Sequence, residues 1–203
     1  MLFRSQEAAD PNTPLFERIR FIGIFSNNLD EFFRVRFAAV RRMVDFGGDE
    51  ENLLGDFTPK ELHDKIQSIV IGQQKKVNAI FLDILEELKE NDIFMVNEKE
   101  LSHHQGVFVK KYFNDKVLPN LVPIMLSNKN KFPYLRDRSV YLAIKLSKKS
   151  DPKDFAYSLI RIPSLSVPRF LVLPKSGSKK YVMMLDDVIR YCFNDIFFYF
   201  DYN

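Results

Sequence analysis

The chain has 203 residues, of which 46% are hydrophobic, so it is long and apolar enough to bury a substantial core. No run approaches the roughly 18 consecutive apolar residues of a membrane span, and the first 20 residues carry charges and two prolines where a signal peptide is apolar. Residues 104–203 hold 17 basic and 8 acidic side chains, whereas residues 47–103 hold 6 basic and 13 acidic ones. We therefore expect a cytoplasmic protein of two modules, whose basic half either meets a polyanion or presents a solvated surface.

The first half of the chain has the periodicity of α-helices. After the loop-like "DPNTP", apolar residues recur at helical spacing through "LFERIRFIGIF" as far as residues 26–28. The spacing predicts a second helix from about Leu29 to Phe46. Asn27 or Asn28 would be its N-cap, with an acidic residue three positions further on completing the capping pattern.

The two adjacent asparagines are more than one helix cap requires. An asparagine amide presents a hydrogen-bond donor and an acceptor side by side, which matches the edge of adenine. From the residues alone, a second polar cap and a ligand contact both remain open for Asn28.

A long third helix has the clearest start signal. Thr58 is a predicted N-cap, Pro59 occupies the first helical position and Glu61 completes a capping box. An apolar stripe then runs to about residue 90, which predicts a helix of roughly 45 Å that packs with the earlier helices as an antiparallel bundle.

The spacing of apolar residues changes after about residue 100. Ser102 and Gln105 form a second capping pattern, and the helix that they begin should end near Val117. Four segments of strand character follow, at 140–146, 155–162, 169–173 and 181–185, and a helix is predicted at "LDDVIRYCF". The expected fold is α+β: a helical bundle over residues 1–103, then a module over residues 104–203 with an antiparallel sheet of about four strands and flanking helices.

The sequence contains no complete active site. It lacks the nucleotide-binding glycine loops, the zinc-binding histidine motif and the cysteine pairs that carry chemistry in other enzymes. His103 and His104 are neighbours that face apart, and His63 is expected to be a solvated position beside Asp64. Cys192 is expected to be a buried thiol. "SGSKK" indicates a hairpin turn, and the aromatic "FFYFDY" near the C-terminus suggests a cut through a larger protein.

The stretch "PLFERIRFIGIFSNNLDEFFRVRFAAVRR" resembles the N-terminal signature of the long bacterial polyphosphate kinases, P-L-x-E-R-x-x-F-x-x-I-x-S-x-N-L-D-E-F-[FY]-x-V-R. Further on, "VPIML", "YLAIKL", "IPSLSVPRFLVLP" and "LDDVIRYCFNDIF" are similar to the head domain of that family, in the same order. The resemblance runs from about residue 7 to the end of the chain. It differs at the start, where "MLFRSQ" stands in place of the usual "S-W-L" segment.

This resemblance implies a transferase that passes the terminal phosphate of ATP reversibly to polyphosphate through a phosphohistidine. That histidine and the magnesium ligands lie in C-terminal domains outside this chain, so the piece should be inactive alone, and no catalytic or metal-binding residue is assigned within it. The resemblance also implies that the asparagine of the family's S-x-N-L-D-E-F contacts ATP. In this chain that position is Asn28, the second asparagine of "SNNLDEF".

The partners implied are ATP or ADP, polyphosphate, the missing catalytic domains and a second copy that packs through the head domain. No nucleic acid is expected, and membrane association would be peripheral at most. The alternative is a non-enzymatic helical and basic module that binds nucleic acid or a protein partner; only a nucleic-acid module would bind DNA or RNA with a steep salt dependence.

Overall fold

A computed structural model describes residues 2–46, 57–127, 131–148, 151 and 153–197. The chain divides into two compact units, Met1–Asn91 and Asp92–Asn203. This boundary precedes the one expected at residue 103, because the short strand Ile93–Val96 pairs with a strand from much later in the chain and so belongs to the second unit.

The described elements of the first unit are all helical. They are α1 (Leu2–Ala9), α2 (Leu15–Phe32), a π-helical turn (Phe33–Phe37), α3 (Ala38–Asp45) and α4 (Pro59–Glu90). The sequence analysis did not predict α1, which lies in the segment before the loop "DPNTP". Among the described residues of this unit no strand occurs.

Helix α2 runs unbroken through the asparagine pair. The apolar positions Phe25 and Leu29, one turn apart, are both buried, so the buried face continues across residues 26–28. The prediction that a new helix begins there was wrong, and neither Asn27 nor Asn28 is an N-cap. The acidic residue expected to complete the cap of Asn28, Glu31, instead forms an ion pair with Arg34 one turn later.

The predicted start of α4 is confirmed. The backbone N–H of Glu61 donates to Thr58 Oγ1 at 3.3 Å, and the Glu61 carboxylate accepts from the backbone N–H of Thr58 at 2.9 Å. The hydrogen bonds that the Glu61 carboxylate accepts, first from the backbone N–H of Thr58 and second from the Thr58 hydroxyl, lower the pKa of Glu61.

Helices α2 and α4 are antiparallel, as expected of a bundle. Contacts pair low numbers on α2 with high numbers on α4: Arg18 meets Glu87 near one end, and Phe25 and Leu29 pack with Val70 further along. Past the end of α2, Phe37 of the π-helical turn stacks on His63, with ring centroids 5.0 Å apart. The position of His63 was predicted wrongly, because this stacking leaves only 12% of its side chain exposed.

A buried arginine joins three helices of the first unit. Arg18 is 6% exposed; its Nε–H donates to the backbone carbonyl of Ala8 in α1 at 2.9 Å, and its Nη1 pairs with Glu87 in α4. A charge so far from water requires such partners. Arg18 therefore ties α1 and α4 to α2.

The second unit is mixed. Its strands are β1 (Ile93–Val96), β2 (Pro123–Leu126), β3 (Tyr141–Ser147), β4 (Phe155–Arg161), β5 (Phe170–Ser176) and β6 (Lys179–Met184). Its helices are α5 (His103–Tyr112), α6 (Leu185–Tyr191) and α7 (Phe193–Ile196), with a π-helical turn (Phe113–Val117) and a 3-10 turn (Leu118–Asn120) after α5. Ser102 caps α5 with Gln105 in a capping box, as predicted.

The α+β class is confirmed, but the strands form two sheets of three. One has the order β1-β6-β5, with β1 parallel to β6, and the other has the order β2-β4-β3 and is antiparallel. The four predicted strands are β3 to β6, and the sequence analysis missed β1 and β2. A single meander does not form, because the connection between β4 and β5 is anchored by the buried Ile162 and Val167 and leads into the other sheet.

Two glycines in this unit occupy positions that other residues would fill less easily. A side chain at Gly106 of α5 would collide with the hydroxyl of Tyr191 in α6, so only glycine permits this approach. Gly177 has φ of +62° in the turn between β5 and β6, a left-handed conformation that favours glycine. The hairpin turn predicted at "SGSKK" is thus confirmed.

Cys192 is a packed core thiol, as predicted. It is 1% exposed, and burial, followed by the charge of Asp195, raises its pKa to about 12. Ile196 and Phe197 are buried in the same core. The rest of the aromatic "FFYFDY" segment, residues 198–202, lies outside the described residues, so the prediction made for it stays untested.

The contacts of Arg18 predict a large effect of its replacement. Arg18→Met should lower the free energy of unfolding by about 2 to 3 kcal/mol, because it leaves a carbonyl and a carboxylate without their buried donor. Arg20→Met is the matched control on the same helix: Arg20 is exposed and 3.6 Å from Glu17, and its loss should cost about 0.5 kcal/mol or less. Urea denaturation followed by helical circular dichroism measures both. Equal losses would contradict the role given to Arg18.

The raised pKa of Cys192 predicts a pH dependence of stability. The pKa of a cysteine thiol in the unfolded chain is about 8.5, and in the folded chain the pKa of Cys192 is about 12. Above about pH 8.5 the unfolded chain therefore loses the thiol proton while the folded chain keeps it, which favours unfolding. Between pH 8 and 10 the wild-type chain should therefore lose about 2 kcal/mol more of its free energy of unfolding than Cys192→Ala. Urea titrations of both proteins under reducing conditions test this. An identical pH dependence in the two would show that the thiol ionises freely in the folded state.

Candidate functional site

The candidate residue Asn28 lies in the middle of α2, within a run of three exposed polar residues, Ser26, Asn27 and Asn28. None of the three side chains makes a hydrogen bond within the described part of the chain. Serine and asparagine are weak helix formers, and each costs about half a kcal/mol relative to alanine in a helix interior. Helix stability therefore does not explain the run.

The two asparagines serve different surfaces. Ser26 and Asn27 line a shallow, open groove. Its other lining residues are Gly23, Leu29 and Asp30 of α2, Phe33 of the π-helical turn and Gln74 of α4. Asn28 projects about 100° further around the helix and does not line this groove. Its neighbours one turn away on either side are Ile24 and Glu31. That the two asparagines face different surfaces was not predicted from the sequence.

The groove beside Asn27 has the chemistry of a polar contact surface. It combines the amides of Asn27 and Gln74 with the carboxylate of Asp30. Gly23 borders open space, since a Cβ atom there would meet nothing within 4 Å. Because Gln74 comes from a different helix, only the pairing of α2 with α4 reveals the groove.

The π-helical turn begins five residues after Asn28, where α2 ends. Phe33–Phe37 inserts its wider turn between α2 and α3, and such turns are common near functional positions. Its aromatic rings pack edge to face, with the centroids of Phe33 and Phe37 4.9 Å apart. The rigid packing on this side holds the end of α2 in place, and so the exposed asparagines project from a fixed backbone.

The acidic, histidine and cysteine side chains of the described residues are the candidates for binding a metal ion. Within residues 2–46, 57–127, 131–148, 151 and 153–197, no three His, Cys, Asp or Glu side chains gather where they could hold a metal ion. His103 and His104 are exposed at the start of α5.

An acidic pair in the second unit is matched by arginine. Arg190 forms ion pairs with both Asp186 and Asp187, and Arg169 lies 3.6 Å from Asp186. Burial and then the charge of Asp186 raise the pKa of Asp187. Both carboxylates therefore form ion pairs with arginine side chains.

None of the described helices combines the length and the apolar composition that crossing a bilayer requires.

Comparison with known proteins covers nearly the whole chain. The model of the polyphosphate kinase N-terminal domain matches residues 5–96, and the model of the polyphosphate kinase middle domain matches residues 104–203. Over 202 residues, 98% of this chain, it is 39% identical to the polyphosphate kinase of Vibrio vulnificus, 38% to that of Yersinia pestis and 36% to that of Escherichia coli K12. The chain spans 28% of the length of these relatives.

A solved structure agrees with these matches. The crystal structure of polyphosphate kinase from Porphyromonas gingivalis is similar with a TM-score of 0.86 and 28% identity, over 98% of this chain and 29% of that one. Two domain models in the order of the chain, close relatives and a solved structure all point the same way, and we conclude that this chain belongs to the polyphosphate kinase family.

Proposed function

We propose that this chain forms the N-terminal and middle domains of an enzyme that transfers the terminal phosphate of ATP reversibly to polyphosphate. The relatives that carry the name polyphosphate kinase support this proposal. A histidine outside this chain would carry the phosphoryl group, and magnesium, with ligands also outside it, would offset the charge of the phosphates. The part played here is to bind and position.

Asn28 is the residue that we propose contacts the nucleotide. The observation that carries this role is an exposed amide without a hydrogen-bond partner among the described residues, in a helix interior where asparagine is unfavourable. A side chain amide offers the donor and acceptor pair that the adenine edge requires. Since its backbone is held inside a packed helix, Asn28 needs little ordering when the ligand binds.

The remaining parts of the proposal concern assembly and location. The longer enzyme would be a cytoplasmic homo-oligomer joined through the middle domain, with membrane association peripheral at most. Apolar side chains that the second unit exposes on β5, Phe170 and Val172, support a covered surface there.

A chimeric enzyme tests the function. The segment of the Vibrio vulnificus polyphosphate kinase that matches this chain over 202 residues would be replaced by this chain. The chimera should synthesise polyphosphate from ATP, whereas the 203-residue chain alone should not. Synthesis by the isolated chain would contradict the assignment of catalysis to other domains, and a folded but inactive chimera would contradict the function.

Within that chimera, Asn28→Ala should raise the KM for ATP about two- to tenfold, which is the loss of about one hydrogen bond to the ligand. Asn27→Ala is the matched control, because it makes the same change one residue away on a different surface, and it should leave KM unchanged. An equal rise in both variants, or in Asn27→Ala alone, would place the nucleotide elsewhere.

The stability of these two variants gives an independent prediction. In the 203-residue chain, Asn28→Ala and Asn27→Ala should each raise the free energy of unfolding by about 0.5 kcal/mol, because alanine is the better helix former at an exposed interior position. Thermal and urea denaturation measure this. A loss of about 1 kcal/mol on replacing Asn28 would instead be the sign of a helix cap.

A further inference from the structure

A small pocket in the second unit has the features of an anion site. It is lined by Asn120, Val122, Ile124, Tyr134, Arg136, Tyr141 and Arg161 and has a volume of about 180 Å³. Two arginines and two tyrosines are among the lining residues, and no acidic residue is. All of these residues belong to one unit, at and beside the β2-β4-β3 sheet.

Strand register places one arginine beside one tyrosine. Tyr141 of β3 lies directly opposite Arg161 of β4, so both project from the same face of the sheet. Ile124 of β2 lies opposite Leu159, two residues from Arg161 and therefore on the same face. These strands form the floor of the pocket and fix the position of Arg161.

The second arginine comes from the segment before β3. The backbone N–H of Arg136 donates to the hydroxyl oxygen of Tyr141 at 3.0 Å, which anchors this segment over the start of the strand. Arg138, with φ of +56°, turns the chain between the two. Because Tyr141 accepts with its oxygen, its own O–H remains available to donate to a ligand.

The charges of the pocket are unneutralised. Neither Arg136 nor Arg161 forms an ion pair with any described residue, although Arg169 and Arg190 of the same unit both do. Arg161 is half-buried, and keeping an unpaired guanidinium partly away from water costs free energy. An anion would remove that cost and receive charge-assisted hydrogen bonds from both arginines.

The shape of the site selects the ligand. Guanidinium forks match phosphate oxygens in pairs, and about 180 Å³ is below the roughly 300 Å³ at which pockets for larger organic ligands begin. We propose that this pocket binds adjacent phosphoryl groups of an inorganic phosphate chain. The choice of polyphosphate as the source of these groups rests on the proposed function, whereas the anion site itself rests on the geometry.

Calorimetric titration of the 203-residue chain with sodium tripolyphosphate, without magnesium and at low salt, tests the site. We expect saturable binding that Arg161→Gln and Arg136→Gln each weaken about tenfold. The affinity of Arg161→Lys for tripolyphosphate should lie between those of the wild type and Arg161→Gln, because lysine keeps the charge but lacks the two-pronged guanidinium group. Near-ultraviolet circular dichroism checks folding; Arg136 lies outside the strands, so its variant still tests the site if a change in β4 unfolds the protein.

A matched control separates a site from general attraction. Lys175→Gln removes the same charge from an exposed position of β5 in the other sheet, and it should leave tripolyphosphate binding unchanged. Equal weakening by Lys175→Gln and Arg161→Gln, or no saturable binding to the folded chain, would overturn the proposal.

A parallel titration with ATP distinguishes the sources of the phosphate chain. The pocket is too small for the nucleoside, so ATP should bind no more tightly than tripolyphosphate. Tighter binding of ATP that Arg161→Gln abolishes would overturn the assignment to inorganic polyphosphate. Because these titrations involve no catalysis, an inactive chimera with intact, Arg161-dependent binding would count against the proposed function alone.

Discussion

The rotation of α2 about its own axis is the constraint on which the first unit depends. Phe25 and Leu29 are held in the core against Val70, and this packing fixes where every other side chain of the helix points. Residues 26–28 lie between two buried positions one turn apart, so they must project away from the core. The same constraint separates the two asparagines: one lines the groove shared with α4, and the other faces a different surface. A shift of one residue in this packing would bring Ser26 and Asp30 to the positions that Phe25 and Leu29 occupy.

Hydrophobic periodicity and capping residues predicted the helices whose signals are local. Thr58 and Ser102 mark the starts of α4 and α5 because a cap is a contact between residues three apart. The same reasoning misled at the asparagine pair, where a local polar run resembled a cap while the buried face on either side continued the helix. Asn and Ser are tolerated there because tertiary packing outweighs propensity. The polar run was visible in the sequence, but which surface each of its side chains faces required the partner helix.

The sheets illustrate the other limit. Four strands were visible as alternating segments, but one sheet is completed by β1, which is four residues long and pairs with β6 more than eighty residues later. Nothing near Ile93 indicates that partner. The pocket containing Arg161 has the same origin, since the cross-strand position of Tyr141 and the return of Arg136 over the strand join residues that the sequence separates. The basic charge of the second half was visible in the sequence, but the proximity of two arginines that have no ion-pair partner among the described residues was not.

The two proposed binding surfaces follow one physical logic. In each, side chains that contribute little to folding are held by a backbone that the core has already fixed: Asn28 on a packed helix, and Arg161 on a strand of a three-stranded sheet. Rigid placement lowers the ordering cost of binding, and the absence of internal partners among the described residues leaves the donors free for a ligand. The two differ in charge. A neutral amide suits the edge of a base, where direction matters more than attraction, whereas two guanidinium groups suit a phosphate chain, whose negative charge repeats along its length. A protein that handles both a nucleotide and a polyanion would benefit from keeping these functions apart, because an arginine next to the base would attract phosphate groups into the wrong position.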